Sequence, residues 1–292
     1  MIVAHRREEL AEGRAKLNSP VVLVPTMGAL HDGHRALLRK ARELAGPSGS
    51  TVISIFVNPL QFGPSEDLDK YPRTLPEDLK VAEAEGVDLV FAPAVEDMYP
   101  REQLITVDPG PVATILEGAH RPGHFAGVLT VVLKLFTLIR PDIAVFGQKD
   151  AQQLALIRRM AEDFALSVAI EALPTVRADD GLALSSRNKY LSHTERIVAT
   201  ALSKALSAGL SAAPGGPLAV LDAARAVLAR AAREDGTGDA LVTDYVELVD
   251  FETGQSVRNA DFGGTATLAI AARVGTTRLI DNVPVRFDAA DD

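Results

Sequence analysis

Three small groups of polar residues stand out in this chain for what they can do to a phosphate. His31 and His34 close the string Pro25-Thr26-Met27-Gly28-Ala29-Leu30-His31-Asp32-Gly33-His34, which follows an apolar run at 21–24. Where a strand hands over to a helix, two histidines three apart share a helical face and donate to an anion that also faces free backbone N–H groups. Gly28 and Gly33 allow close backbone approach. Lys149 and Asp150 pair an ammonium that compensates phosphate charge with a carboxylate that accepts ribose hydroxyls. Ser185, Ser186 and Arg187 add two hydroxyls and a guanidinium, a phosphate-gripping set.

Each group has a plainer reading. A bare H-x-x-H pair suits a surface or a metal, Lys-Asp suits a solvated turn, and Ser-Ser-Arg suits an ordinary loop. A zinc enzyme needs a third ligand and usually a general base, and neither stands at a recognisable spacing. The complete string after a strand favours phosphate, and two distant phosphate grips imply one nucleotide held between two domains. Gln61 and Gln153 are neutral donor-acceptor groups suited to a polar organic substrate whose carboxylate must not be repelled, or to a surface. Glu77 and Asp78 suit either a hydrated magnesium beside ATP phosphates or the N-terminus of a helix.

The elements that must position these groups alternate. Apolar or β-branched runs at 21–24, 51–57, 88–91, 143–146 and 168–173 read as strands, and 105–107 as a further one. Helical spacing appears at 35–44, 76–85, 127–139 and 151–164. Strands alternating with helices predict an α/β domain, a Rossmann-like doubly wound parallel sheet, which binds ligands at the carboxyl ends of its strands. The loops at 25–34, 58–63 and 147–153 would then meet on one edge. From Arg177 the pattern changes: a turn at Asp180-Gly181, alanine-rich helices at 193–208 and 217–232, and antiparallel strands at 241–249, 267–272 and 278–281. The reading is two domains, 1–177 binding ATP and an acid, and a smaller α+β lid at 178–292.

Composition narrows the function. With 292 residues and 47% hydrophobic content the chain can fill real cores. A formal charge of −9 disfavours a nucleic-acid surface. The absence of cysteine excludes disulfides, thiolate zinc sites and cysteine nucleophiles, and suits the cytoplasm. The most apolar stretch, 127–139, is interrupted by Lys134 and shorter than the roughly 20 residues a membrane helix needs.

Six motifs carry a resemblance. They are Pro25-Thr26-Met27-Gly28-Ala29-Leu30-His31, Phe56-Val57-Asn58-Pro59-Leu60-Gln61-Phe62, Tyr71-Pro72-Arg73-Thr74, Arg121-Pro122-Gly123-His124-Phe125, Phe146-Gly147-Gln148-Lys149-Asp150 with Gln152-Gln153, and Leu184-Ser185-Ser186-Arg187-Asn188. Over nearly its whole length the chain resembles the pantothenate synthetase (pantoate–β-alanine ligase) family, of the nucleotidylyltransferase superfamily with its HIGH-type motif.

That resemblance implies an ATP-dependent ligase that forms pantoyl adenylate and pyrophosphate, then pantothenate and AMP. It implies ATP and Mg2+, the small molecules pantoate and β-alanine as partners, a cytoplasmic homodimer, and neither nucleic acid nor membrane. By motif, His31, His34 and Lys149 would hold phosphate oxygens as pyrophosphate leaves, and Ser185, Ser186 and Arg187 would grip the outer phosphates. Met27, Gly147, Asp150 and Val176 would complete the ATP site. Asn58, Gln61, Phe62 and Gln153, with Met27, would bind pantoate, and Glu77 and Asp78 the metal. Two positions depart from the family pattern: Gln148 stands where Glu is usual and Leu184 where Met is usual. Competing readings are an enzyme moving AMP onto a phosphate-terminated cofactor precursor and an ATP-sensing module without turnover.

Overall fold

The computed structural model describes residues 1–64, 66, 68–234 and 241–288. Two compact units emerge, one of Met1–Gln148 with Gln152–Pro174, the other of Lys149–Ala151 with Thr175–Asp292.

In the N-terminal unit the strands are β1 (Ile2–Ala4), β2 (Val21–Thr26), β3 (Ser50–Ile55), β4 (Leu89–Phe91), β5 (Ile143–Gly147) and β6 (Ala169–Leu173). They form one parallel sheet in the order β1-β4-β3-β2-β5-β6. The helices are α1 (Arg7–Arg14), α2 (Asp32–Ala45), α3 (Leu75–Ala84), α4 (Val95–Met98), α5 (Glu117–His120), α6 (His124–Ile139) and α7 (Ala151–Asp163). Continuous apolar runs suit strands buried on both faces, and the two-residue side-chain period sorts them. Val21, Leu23, Val52 and Phe91 pack with Leu10 of α1, Leu135 of α6 and Ile157 of α7. Their neighbours Val22, Val24, Ile53 and Val90 pack with Leu38 and Ala41 of α2 and Ala82 of α3.

From β2 the chain steps through β3 to β4 on one side, then crosses to β5 and β6 on the other. The reversal falls between β2 and β5, and such a switch point opens a crevice at the strands' carboxyl ends. The string at 27–34 follows β2, Asn58 to Phe62 follow β3, and Gly147 ends β5.

Three local expectations change. Residues 105–107 form no strand, and Leu104 and Ile105 are exposed. Ile2–Ala4, too short to show a pattern, pairs with β4 at the sheet edge. Helix α6 starts three residues before Gly127, after a left-handed Gly123 at φ 83°. Gly127 serves close packing, since a Cβ there would overlap the Leu60 carbonyl.

The C-terminal unit sets α8 (His193–Ser211) and α9 (Gly216–Glu234) against β7 (Leu241–Asp250), β8 (Gln255–Ser256), β9 (Gly264–Val274) and β10 (Thr277–Phe287). The sheet is antiparallel in the order β10-β9-β7-β8. Leu202, Leu206, Leu221 and Leu228 of the helices meet Leu248, Leu268, Ile270 and Val285 of the strands. Ser192 and Glu195 start α8 with a reciprocal capping box. The turn at 178–181 is present: Gly181, at φ 87°, donates to the Ala178 carbonyl below an Arg177–Ala183 bridge. Among the described residues no single helix is long and apolar enough to cross a membrane.

Candidate active site

The loop between β2 and α2 satisfies its own backbone, donor by donor. Gly28 N–H donates to Thr26 Oγ1 at 3.3 Å. Ala29 and Leu30 N–H both donate to the Asp78 carboxylate, at 3.0 and 2.8 Å. His31 N–H donates to His34 Nδ1 at 3.2 Å, and Gly33 N–H to His31 Nδ1 at 3.1 Å. Two parts of the sequence-based expectation are thereby corrected. His31 is the extended N-cap of α2 rather than a member of its face, and imidazoles cap N–H groups expected to be free. The rings lie 4.1 Å apart. Because each Nδ1 accepts from a backbone N–H, a neutral ring carries its proton on Nε2, which makes Nε2 the edge that can donate to a phosphate.

Asp78 is 2% exposed, and Thr74 Oγ1 also donates to it at 3.2 Å. Sequence spacing did not connect it to the histidine loop, 49 residues away. Asp78 and the exposed Glu77 both lie in the first turn of α3.

At the end of β3, Asn58 and Gln61 are buried together. Asn58 Nδ2 donates to Gln61 Oε1 at 3.2 Å and to the Gly127 carbonyl at 3.1 Å. Gln61 Nε2 reaches Met27 Sδ at 3.1 Å, so residues assigned to pantoate on the loops after β2 and β3 are in direct contact. Tyr99 OH donates to Asn58 Oδ1 at 2.9 Å. Burial raises the Tyr99 hydroxyl well above the ordinary phenol range, which keeps it a donor. The Phe62 ring meets Tyr71 edge-on at 6.0 Å. His124 Nδ1 pairs with the Gln61 carbonyl, and its Nε2 with Arg121, which forks onto Glu66. Tyr99 and Glu66 carried no signal in the sequence, because their partners are distant along the chain.

The glutamines of α7 divide. Gln152 is buried and holds the 112–117 segment through Glu117 N–H and the Val112 and Ile115 carbonyls. Gln153, the residue assigned to substrate, is half-buried in the same first turn.

Within the C-terminal unit, Lys149 Nζ stands 3.8 Å from Asp150 Oδ1. Asn282 Nδ2 donates to the Lys149 carbonyl at 2.7 Å. The Val176 carbonyl accepts Leu184 N–H at 2.9 Å, a backbone bond indifferent to the Met-to-Leu departure. Ser185 caps the 3-10 turn Ser186–Tyr190, its Oγ accepting Arg187 N–H at 3.3 Å. Ser185, Ser186 and Arg187 are each half-buried.

No cluster of three or more His, Asp or Glu suited to a metal occurs among the described residues. The exposed carboxylate of Glu77 is a hard oxygen donor of the kind a hydrated magnesium takes.

A doubly wound sheet with a histidine-capped helix at its switch point defines the class: an α/β enzyme of the nucleotide-binding kind. The sequence profile described as Pantoate-beta-alanine ligase matches residues 2–284. The pantothenate synthetase of Thermobifida fusca is 58% identical over 290 residues, covering 97% of this chain and 95% of that protein. That of Acidothermus cellulolyticus is 54% identical, covering 98% and 92%. A crystal structure of the Thermus thermophilus enzyme superposes with a TM-score of 0.87 at 44% identity, covering 97% and 99%. The Francisella tularensis ligase, solved with beta-gamma ATP and beta-alanine, gives 0.77 at 33%, covering 97% of each chain. The chain belongs to the pantoate–β-alanine ligase family and is an ATP-dependent ligase.

Proposed function

We propose that the chain carries out its family's reaction, the joining of pantoate to β-alanine, through an enzyme-bound acyl adenylate. A pantoate carboxylate oxygen attacks the α-phosphorus of ATP, the bond to the bridging oxygen breaks, and pyrophosphate leaves. The β-alanine amine then attacks the activated acyl carbon, an amide forms, AMP leaves and the nitrogen gives up a proton. The carboxylate needs no base, so orientation supplies much of the rate.

His31 and His34 hold phosphate oxygens through Nε2, where charge develops as pyrophosphate departs. Lys149 does the same, with Ser185, Ser186 and Arg187 on the outer phosphates. Gly147, Asp150 and Val176 bind the ribose and base, while Gln61 and Gln153, helped by Asn58, Met27 and Phe62, bind pantoate. Glu77, exposed in the first turn of α3, would hold a hydrated Mg2+, which would supply neutralisation of triphosphate charge. The enzyme is a cytoplasmic homodimer.

The observation that carries this reading is the pair of imidazoles whose Nδ1 atoms are both engaged by backbone N–H groups, which leaves Nε2 as the edge each ring can turn to a phosphate. Exchange of labelled pyrophosphate into ATP, with pantoate and without β-alanine, tests it. The expected result is pantoate-dependent exchange, lowered by orders of magnitude in His34→Ala and Lys149→Ala. Well-folded enzyme with no exchange would overturn the adenylate route.

A further inference from the structure

Asp281 and Asn282, adjacent on the edge strand β10, are polar yet only 3% and 6% exposed. Buried polar groups need partners, and these two reach different segments. The Asp281 carboxylate takes a fork from Arg177, at 2.6 and 3.0 Å, and Arg177 also donates to the Gly181 carbonyl at 3.2 Å. Arg177 thereby fixes the turn whose return limb runs through Ala183 into Ser185-Ser186-Arg187. Asn282, which a strand's alternation directs to the opposite face, donates its amide to the Lys149 carbonyl across 133 residues of sequence.

Residues Lys149–Ala151 are packed with the C-terminal unit, although the strand before them and the rest of α7 belong to the N-terminal unit. A lysine side chain is long and flexible, so the backbone is where the protein can fix its origin.

We propose that Asn282 is a positioning residue for adenylation: it anchors the Lys149 backbone to β10, so that the Lys149 ammonium and the Ser185-Ser186-Arg187 turn act as one phosphate grip. This role rests on Lys149 holding the departing phosphates. An Asn282 that served stability alone would affect both half-reactions equally.

Asn282→Ala removes the amide donor. Asn282→Asp keeps the shape and turns an oxygen toward the carbonyl. Both are expected to slow pantoate-dependent exchange by ~10–100-fold, the scale of a small misplacement of a catalytic group. The second half-reaction, synthetic pantoyl adenylate with β-alanine, should keep its rate, because no pyrophosphate is then to be held. The double variant Lys149→Ala/Asn282→Ala should be no slower than Lys149→Ala alone. Exchange within twofold of wild type, proportional loss in both half-reactions, or a full additional loss in the double variant would each overturn the role. Wild-type exchange in Lys149→Ala would instead remove the phosphate-grip assignment itself, and the anchoring role with it.

Discussion

A side-chain carbon on Gly28 would stand 2.9 Å from Oδ2 of Asp78 and 3.1 Å from Ile55. The absent side chain is what admits the carboxylate to the Ala29 and Leu30 N–H groups. Ala29 has a φ of 51°, a left-handed conformation uncommon for a residue with a Cβ. Asp78 offsets that strain from below the loop.

Gly28→Ala therefore meets both a φ of 84° and the Asp78 carboxylate. It should cost ~1–3 kcal/mol of stability, the range for strained backbone positions, and slow exchange by displacing His31. Urea melts and the exchange assay check it. A variant that melts and turns over like wild type would show that the loop does not need the close approach.

Asp78→Asn keeps the size but sets an NH2 against one of two N–H donors, at a cost of ~1–3 kcal/mol for a buried group left unpaired. A magnesium titration of the exchange rate separates two origins of any loss. Raising magnesium should leave the defect in place if Asp78 supports the loop. Rescue at high magnesium would assign the carboxylate to the metal.

Tyr99→Phe deletes the donor to Asn58 Oδ1, leaving Leu60 N–H at 3.4 Å on that oxygen. The expected effect is ~1 kcal/mol, read as a several-fold higher KM for pantoate with KM for ATP unchanged. Since burial raises the Tyr99 pKa, the hydroxyl stays protonated beyond the ~10 of free tyrosine. Pantoate KM in wild type should then show no phenol titration up to that pH. A rise in KM below it that is absent from Tyr99→Phe would contradict the assignment.

Asp180 is the third residue of the 178–181 turn near the start of the C-terminal unit. Its pKa is lowered from an ordinary 3.8, first by Leu182 N–H and then by Arg196. A depressed folded pKa contributes stability that is present above 3.8 and lost as pH falls through the folded value. Thermal melts across the acid range should show Asp180→Asn and wild type converging below that window and wild type ahead above it. Parallel curves at every pH would remove the linkage.

Much of the N-terminal unit was legible in order. Val21 to Val24 and Ile143 to Phe146 are apolar without alternation because helices cover both sheet faces, and such runs signal parallel strands directly. The string from Pro25 to His34 marked its own place at a strand-to-helix joint. Ile2 to Ala4 had too few residues to show a period. Ile105 to Val107 had the composition of a strand, but Ile105 is exposed, Val107 packs on the core, and the Val107 N–H donates to the Thr130 hydroxyl rather than to a neighbouring strand.

What the sequence by itself determined is therefore chemical and local: the residue types that meet phosphate and acid, their strand-to-helix setting, and the family motifs they compose. The tertiary structure decided which atoms do what. It gave Asp78 to Ala29 and Leu30, turned the histidines' Nδ1 atoms onto backbone N–H groups, joined Tyr99 to Asn58, and hung Lys149 from Asn282. These are hydrogen bonds between residues up to 133 apart. Local pattern reports propensity and period, whereas which distant donor meets which buried acceptor follows only once the strands are ordered and the core has closed around them.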